Sequence, residues 1–240
     1  MDVIAVWQSR PELATGLAMT IQLTAVSVAV GLCLAMPLGV LRTVNNRWVA
    51  GPIYVYTYIF RGTPLLIQLF LIYYGLAQFK WIRSTLLWDF LREGYWCCII
   101  AFSLNTAAYV TEILRGAIQN VAVGEIEAAQ AVGMSRFQTL RRIILPQAFR
   151  IMLPAYSNEV IMIMQATSLA SLVTVLELTG SARVVIAQNF APYEVFITIG
   201  LMYLGFTYGL LWLFRRWEGH LMRHRVASTK VVDRNAEILS

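Results

Sequence analysis

The sequence predicts an all-α membrane protein with about five transmembrane helices, and three observations carry that reading. First, 58% of the 240 residues are hydrophobic and 13% are charged, with a mean hydropathy of +0.63, whereas a soluble domain is about 45–50% apolar and about 25% charged. One water-facing core cannot enclose so many apolar side chains, and so apolar a chain is not disordered. Second, five charge-free runs occur: Leu13–Leu41 (29 residues), Gly62–Phe79 (18), Gly94–Thr111 (18), Val160–Leu176 (17) and Val195–Phe214 (20). A bilayer-spanning helix needs about 17 to 25 such residues. Third, the basic residues are unevenly shared between the two sides that five spans define. With the N-terminus outside, 13 of the 19 basic residues, Arg42, Arg141 and Arg216 among them, fall on the inner side. The positive-inside rule then puts the N-terminus outside and the C-terminus in the cytoplasm. The net charge of +6 is a signature of topology and carries no implication of nucleic acid.

Residues 1–15 form the periplasmic N-terminal segment, and the membrane domain runs over 16–217. Span 1 reaches Leu41, and its 29-residue run is far longer than the roughly 7–15 residues of a secretory signal. Span 2 follows Arg42 and Arg47. Its aromatic lead, Trp48 to Phe60, reads either as an interfacial shelf or as the first half of a long helix. In both cases Arg61-Gly62-Thr63-Pro64 interrupts it, because proline lacks an amide donor and disfavours helix at the preceding residue. Span 3 covers Tyr95–Ile118, span 4 Ile151–Val175 and span 5 Val195–Phe214. Gly205 and Gly209 in span 5 make a GxxxG, a mark of close helix packing within one chain or between two. The tail, 218–240, is a solvated cytoplasmic extension.

Cys33, Cys97 and Cys98 all lie in apolar runs and read as small packing residues, with neither a disulfide framework nor a metal site. His220 and His224 lie in a basic tail and are assigned no role, so no metal is expected.

The cytoplasmic loop 119–150 is the most ordered stretch outside the spans. Glu125 and Glu127 suit a first helical turn, and Ala128, Ala129 and Ala131 favour helix. A short helix over 125–132 follows, ended by Gly133 in the left-handed position. Ser135 and Gln138 then form a capping box that starts a second helix, expected to continue until Pro146. From physics alone this elbow is as readily a cap on the protein's own helix ends as a docking element.

The spacing Glu127-Ala128-Ala129, Gly133, Ile143-x-Leu145-Pro146 resembles the signature of integral membrane subunits of bacterial ABC importers, with seven fixed positions matched over 20 residues. Phe60-Arg61-Gly62-Thr63-Pro64-Leu65 resembles an element of their polar amino-acid branch. Asn105-Thr106-Ala107-Ala108-Tyr109, with Glu112 and Arg115-Gly116, and Leu153 to Glu159 look like the histidine, lysine-arginine-ornithine and opine permeases. The resemblance covers about Gly16 to Trp217. It implies a type I ABC importer transmembrane domain in the bacterial inner membrane, whose elbow is a coupling helix seated in a groove of an ABC ATPase subunit. It also implies a second permease subunit, often a related chain, and a periplasmic solute-binding protein.

The sequence contains no G-x-x-x-x-G-K-[ST] phosphate loop, so the chain is expected to be a transport subunit and not an enzyme. ATP and magnesium are expected on the partner ATPase, with no cofactor on this chain. Glu112 and Glu159 fall inside apolar spans, where an ionisable side chain is costly and functional by default. At about 1.5 Å per residue they lie roughly 9 and 12 Å from the inner ends of spans 3 and 4. If they face one cavity, they receive the cationic head of a basic amino acid or opine, with Tyr109 and Asn158 supplying neutral hydrogen bonds. The competing reading pairs Glu112 with Arg61 or Arg115 and leaves Glu159 tying helices together. The role of Arg61 stays open. A rival function is a secondary transporter or channel subunit in which the two acids relay protons or ions; no internal repeat supports it. A membrane-embedded enzyme is a weaker third reading, because no His, Cys or Asp cluster near a span offers a nucleophile or metal site.

Overall fold

The structure, a computed structural model, describes Trp7 and residues 9–221. Most of the expected tail, His224 included, and residues 1–6 and 8 of the expected N-terminal segment lie outside the described residues.

Every described element is helical. Helix α1 (Arg10–Leu41) begins inside the expected periplasmic segment, because Pro11 and Glu12 supply start signals ahead of the apolar run. Helix α2 (Arg47–Gly62) is opened by Asn46, whose side chain accepts from the Trp48 amide. The expected break follows: Thr63 is extended (φ −119°, ψ 146°), and α3 (Leu65–Phe70) resumes beyond Pro64, continuing through wider and tighter turns to Gln78 at a 105° bend. The aromatic lead is helical, and this sharp corner separates it from the helix that follows. Two short helices, α4 (Lys80–Arg83) and α5 (Trp88–Leu91), lead into α6 (Gly94–Gln119).

The elbow follows as α7 (Val123–Ala131) and α8 (Arg136–Thr139). Past it, the expected stop at Pro146 is corrected. A π-helical turn over Leu140–Ile144 passes directly into α9 (Leu145–Ala166), so the chain stays helical through the proline. The wide turn lies just upstream of the residue that lacks an amide hydrogen. Beyond Ala166 a 3-10 stretch, Thr167–Val173, ends at Thr174 in the left-handed region (φ 66°). Helix α10 (Leu178–Asn189) then fills part of what the sequence reads as a loop, capped by Glu177, which accepts from the Thr179 and Gly180 amides at 2.8 and 2.9 Å. Helix α11 (Pro192–Leu221) closes the bundle.

Three of these helices, α1, α6 and α11, are long and apolar enough to cross a membrane. The count rises to five if α2 with α3, and the Arg136–Val173 stretch with α10, are each one bent span. Helices α1 and α6 lie side by side in the same direction: Gln22 donates to the Tyr95 hydroxyl at 2.8 Å, Gly31 faces Thr106, and Gly39 faces Leu114. Ala148 and Met152 of α9 join Ala35, Leu114 and Ala117 in a buried cluster at the end from which α7 projects, so α9 runs the opposite way. Tyr156 packs against Phe214 with ring centroids 6.1 Å apart, bringing the last turns of α11 to that same end. At the far end Leu13, Leu178, Val185 and Val195 form a second cluster. A third, between them, is built on Leu23, Leu69, Cys98, Phe102 and Val173. Cys97 and Cys98 are core residues as expected, whereas Cys33 is exposed.

Candidate functional site

Two places combine chemistry with unusual geometry: a cleft at the broken helix and the elbow at the far end of α6.

The cleft, of about 440 Å³, is lined by Arg61, Thr63, Asn105, Tyr109 and Glu159 together with the apolar Leu65, Met162, Ile163 and Leu169. Its volume lies within the roughly 300–1,000 Å³ of small-molecule sites. The α2–α3 corner forms one wall, α6 the second and α9 the third. Glu159 is buried, at 5% exposure, and among the described residues no cation lies within the 4 Å of an ion pair. Arg61 lines the same cleft with its guanidinium over the Tyr109 ring, 5.2 Å from the centroid. The cleft therefore presents one carboxylate and one guanidinium that do not close on each other.

Glu112 is engaged elsewhere. Its two carboxylate oxygens meet the Arg42 guanidinium at 3.3 Å and that of Arg115 at 2.7 Å, and the Thr57 hydroxyl donates to it at 3.1 Å. The expectation of one cavity shared by Glu112 and Glu159 is thus corrected: two arginines converge on the shallower acid and tie α1, α2 and α6 together. Asn158 also lies off the cleft lining. It is exposed, and its side-chain amide approaches the Met162 sulfur at 3.7 Å. Of the four residues expected in a substrate site, the structure brings Tyr109 and Glu159 together and leaves Glu112 and Asn158 outside.

Sequence reasoning missed Arg42, Gln68 and the full role of Asn105. Arg42 lies seventy positions from its partner, so no local spacing reports the pair. Asn105 was readable as part of a motif without a stated task. Gln68, which accepts from the Asn105 amide at 3.0 Å, is readable in the sequence as a polar residue inside an apolar run four positions after Pro64.

The elbow has the expected Gly133 turn and capping box, while its first helix starts two residues early, at Val123, which leaves Glu125 but not Glu127 in the first turn. Gly133 adopts φ +82°, a left-handed conformation open to glycine without strain. The Ser135 hydroxyl accepts from the Gln138 amide and the Gln138 side chain accepts from the Ser135 amide, a complete capping box. Glu127, Ala128 and Pro146 are exposed, Ile143 and Leu145 half-buried, and Ala129 is buried. Gln147, at the start of α9, donates to the Glu125 carboxylate on α7. A bond from elbow to bundle thus joins the helix whose other half carries Glu159. The apolar Val123, Val132 and Phe137 of the elbow stand 66%, 78% and 68% exposed.

A family model described as "Binding-protein-dependent transport system inner membrane component" matches residues 8–221. The octopine transport system permease protein OccM of Rhizobium meliloti is 45% identical over 232 residues, 97% of this chain and 95% of the relative. The nopaline transport system permease protein NocM of Agrobacterium fabrum is 46% identical over 95% of this chain and 97% of its own length. The histidine/lysine/arginine/ornithine transport system permease protein HisM of Escherichia coli K12 is 45% identical over 88% of this chain and 89% of its own. Among solved structures, the crystal structure of an amino acid ABC transporter with histidines superposes with a TM-score of 0.82 at 29% identity, covering 92% of this chain and 99% of that one. The inward-facing MetNI methionine ABC transporter shares the fold, with a TM-score of 0.74 at 21% identity, covering 93% of this chain and 100% of that one.

Proposed function

The chain belongs to the family of binding-protein-dependent transport system inner membrane components, and from that premise we propose that its cleft carries cationic amino acids or opines. It is a multi-pass permease subunit of an ABC importer in the bacterial inner membrane; it transports, and a partner ATPase hydrolyses the ATP. A solute-binding protein and an ATPase are its partners by family.

The observation that carries the substrate reading is Glu159. An ionisable side chain in mid-span costs about 3 kcal/mol, yet this one is buried without an ion-pair partner among the described residues, on the wall of a cleft that also holds Arg61. A molecule with a cationic head and a carboxylate satisfies both groups: Glu159 receives the cation, Arg61 the carboxylate, and Tyr109 a flat face beside them. The names of the relatives, octopine, nopaline and histidine/lysine/arginine/ornithine transporters, support the same class.

Motive power enters at the elbow, whose exposed face of Glu127 and Ala128, carried by the Gly133 turn and the Ile143-x-Leu145-Pro146 segment, docks on the ATPase. ATP binding closes the ATPase pair, the elbows move with it, and α9 transmits the motion toward the cleft through the Glu125–Gln147 bond. ATP and magnesium stay on the ATPase, with no cofactor on this chain. A second, related permease subunit completes the pathway. The N-terminus faces the periplasm and the C-terminus the cytoplasm, a reading supported by the basic residues gathered at the elbow end.

The test is uptake into proteoliposomes that contain the assembled transporter. Arginine uptake that requires ATP, and that Glu159→Gln weakens more than uptake of a neutral amino acid, is the expected result. Equal loss for both substrates removes the substrate role of Glu159. Uptake driven by a proton gradient without ATP favours the secondary-transporter reading.

A further inference from the structure

We propose that Gln68 and Asn105 form a positioning pair that holds the Arg61–Thr63 corner against the cleft; this rests on reading the cleft as the substrate site. Breaking a helix at membrane depth frees the carbonyls of its last turn, where no water replaces the lost donors. In α2 these carbonyls belong to Ile59, Phe60, Arg61 and Gly62. The Thr63 hydroxyl donates to the Ile59 carbonyl at 2.8 Å. The Gln68 side-chain amide donates to the Phe60 carbonyl at 2.8 Å and to the Thr63 carbonyl and hydroxyl at 3.1 and 2.8 Å. Asn105, on α6, donates to the Gln68 side-chain oxygen at 3.0 Å and to the Phe60 carbonyl at 3.3 Å.

Both amides are buried, at 7% and 6% exposure, and the pattern of their bonds is one-sided. Every acceptor of the Gln68 donors lies within residues 60–63, and the remaining oxygen is held by α6. The pair thus fixes the end of α2 relative to the helix that carries Tyr109, and so sets where Arg61 stands across from Glu159. Hydrophobic packing would hold α3 in place without this arrangement. The amides specify the direction of the corner, which apolar contact does not.

The experiment uses the permease assembled with its ATPase in detergent, without the binding protein, and reads the dissociation constant for radiolabelled arginine per assembled complex. Gln68→Leu keeps the volume and removes the donors; Gln68→Glu keeps the length with at most one donor. The dissociation constant rises about tenfold for Leu and by a smaller factor for Glu, with assembly and basal ATP hydrolysis within about twofold. In a second arm, Arg61→Cys is placed in a background lacking Cys33, Cys97 and Cys98, and a water-soluble thiol reagent reports the corner directly. Adding Gln68→Leu changes the labelling rate at position 61 by about threefold or more, and leaves that of Ser84→Cys, exposed between α4 and α5, unchanged. Unaltered affinity and unaltered labelling overturn the proposal, as does a loss that follows assembly alone. If the unaltered transporter binds no arginine while labelling at position 61 still shifts, the substrate reading fails and the positioning pair stands. If Gln68→Leu does not assemble, Gln68→Glu and Asn105→Asp are read in both arms by the same criteria.

Discussion

Helices α6 and α11 are almost equally apolar, yet most of α6 is buried inside the bundle and little of α11 is. Hydropathy recognises both as spans but does not distinguish the centre of the bundle from its outside. The difference lies in the small and hydroxyl side chains. Helix α6 buries Ser103, Thr106, Ala107, Ala108 and Thr111, and α1 meets it with Gly31 and Gly39, where added Cβ atoms would lie 2.7 Å from Thr106 and Leu114. Gly200, Gly205 and Gly209 of α11 have nothing within 4 Å of such an atom. The glycines of α1 are therefore occupied by this chain, whereas the GxxxG of α11 finds no packing partner among the described residues. Packing of that motif on the proposed second permease subunit is the reading that Gly209→Leu tests.

The largest effect that would test this contrast is at the start of α6. A Cβ on Gly94 would stand 1.9 Å from the Val173 carbonyl oxygen, so Gly94→Val forces backbone apart and is expected to cost about 3 kcal/mol. A thermal melt of the purified chain in detergent should show the loss; an unchanged midpoint would break the comparison. Next is the ion cluster that joins α1 and α2 to α6. Glu112→Ala leaves Arg42 and Arg115 without their shared acid and should destabilise by about 2 kcal/mol, while sparing the arginine affinity of whatever complex still assembles. Lost affinity at full stability would return Glu112 to the substrate site.

The elbow is predicted to separate stability from coupling. Gly133→Val puts a β-branched residue at φ +82°, at about 1–2 kcal/mol of local strain. Membrane insertion should survive and ATP-driven uptake should fall steeply, as vesicle assays would show; wild-type uptake removes the docking role. The smallest effect on the chain itself belongs to α11. Gly209→Leu should change its stability by no more than about 0.5 kcal/mol and yet reduce recovery of the two-permease assembly on size-exclusion chromatography. Full recovery would leave α11 facing lipid alone.

The parts of this molecule that were legible in sequence are those written locally. Gly133, the Ser135–Gln138 box and the Thr63-Pro64 break each follow from a few consecutive residues, and the structure has them where those residues stand. The parts that were not legible depend on distant partners. Residues 176–194 lie between two expected spans, and α10 forms there because Glu177 caps it and Leu178, Ala182 and Val185 find Leu13 and Val195. Glu112 and Glu159 sit at similar depth on neighbouring helices, and depth along a helix says nothing about which face an acid takes. Arg42 decided the first; the gap between the α2–α3 corner and α9 decided the second. Pro146 reads as a stop in sequence because the compensating π-turn before it has no residue signature.

The account stands most directly on the elbow. A photo-crosslinking residue at Ala128, exposed on α7, should capture an ATPase subunit in intact cells, and the adduct should diminish when Gly133→Val is added. Capture of a periplasmic protein instead, or of lipid alone while the transporter is active, would contradict it.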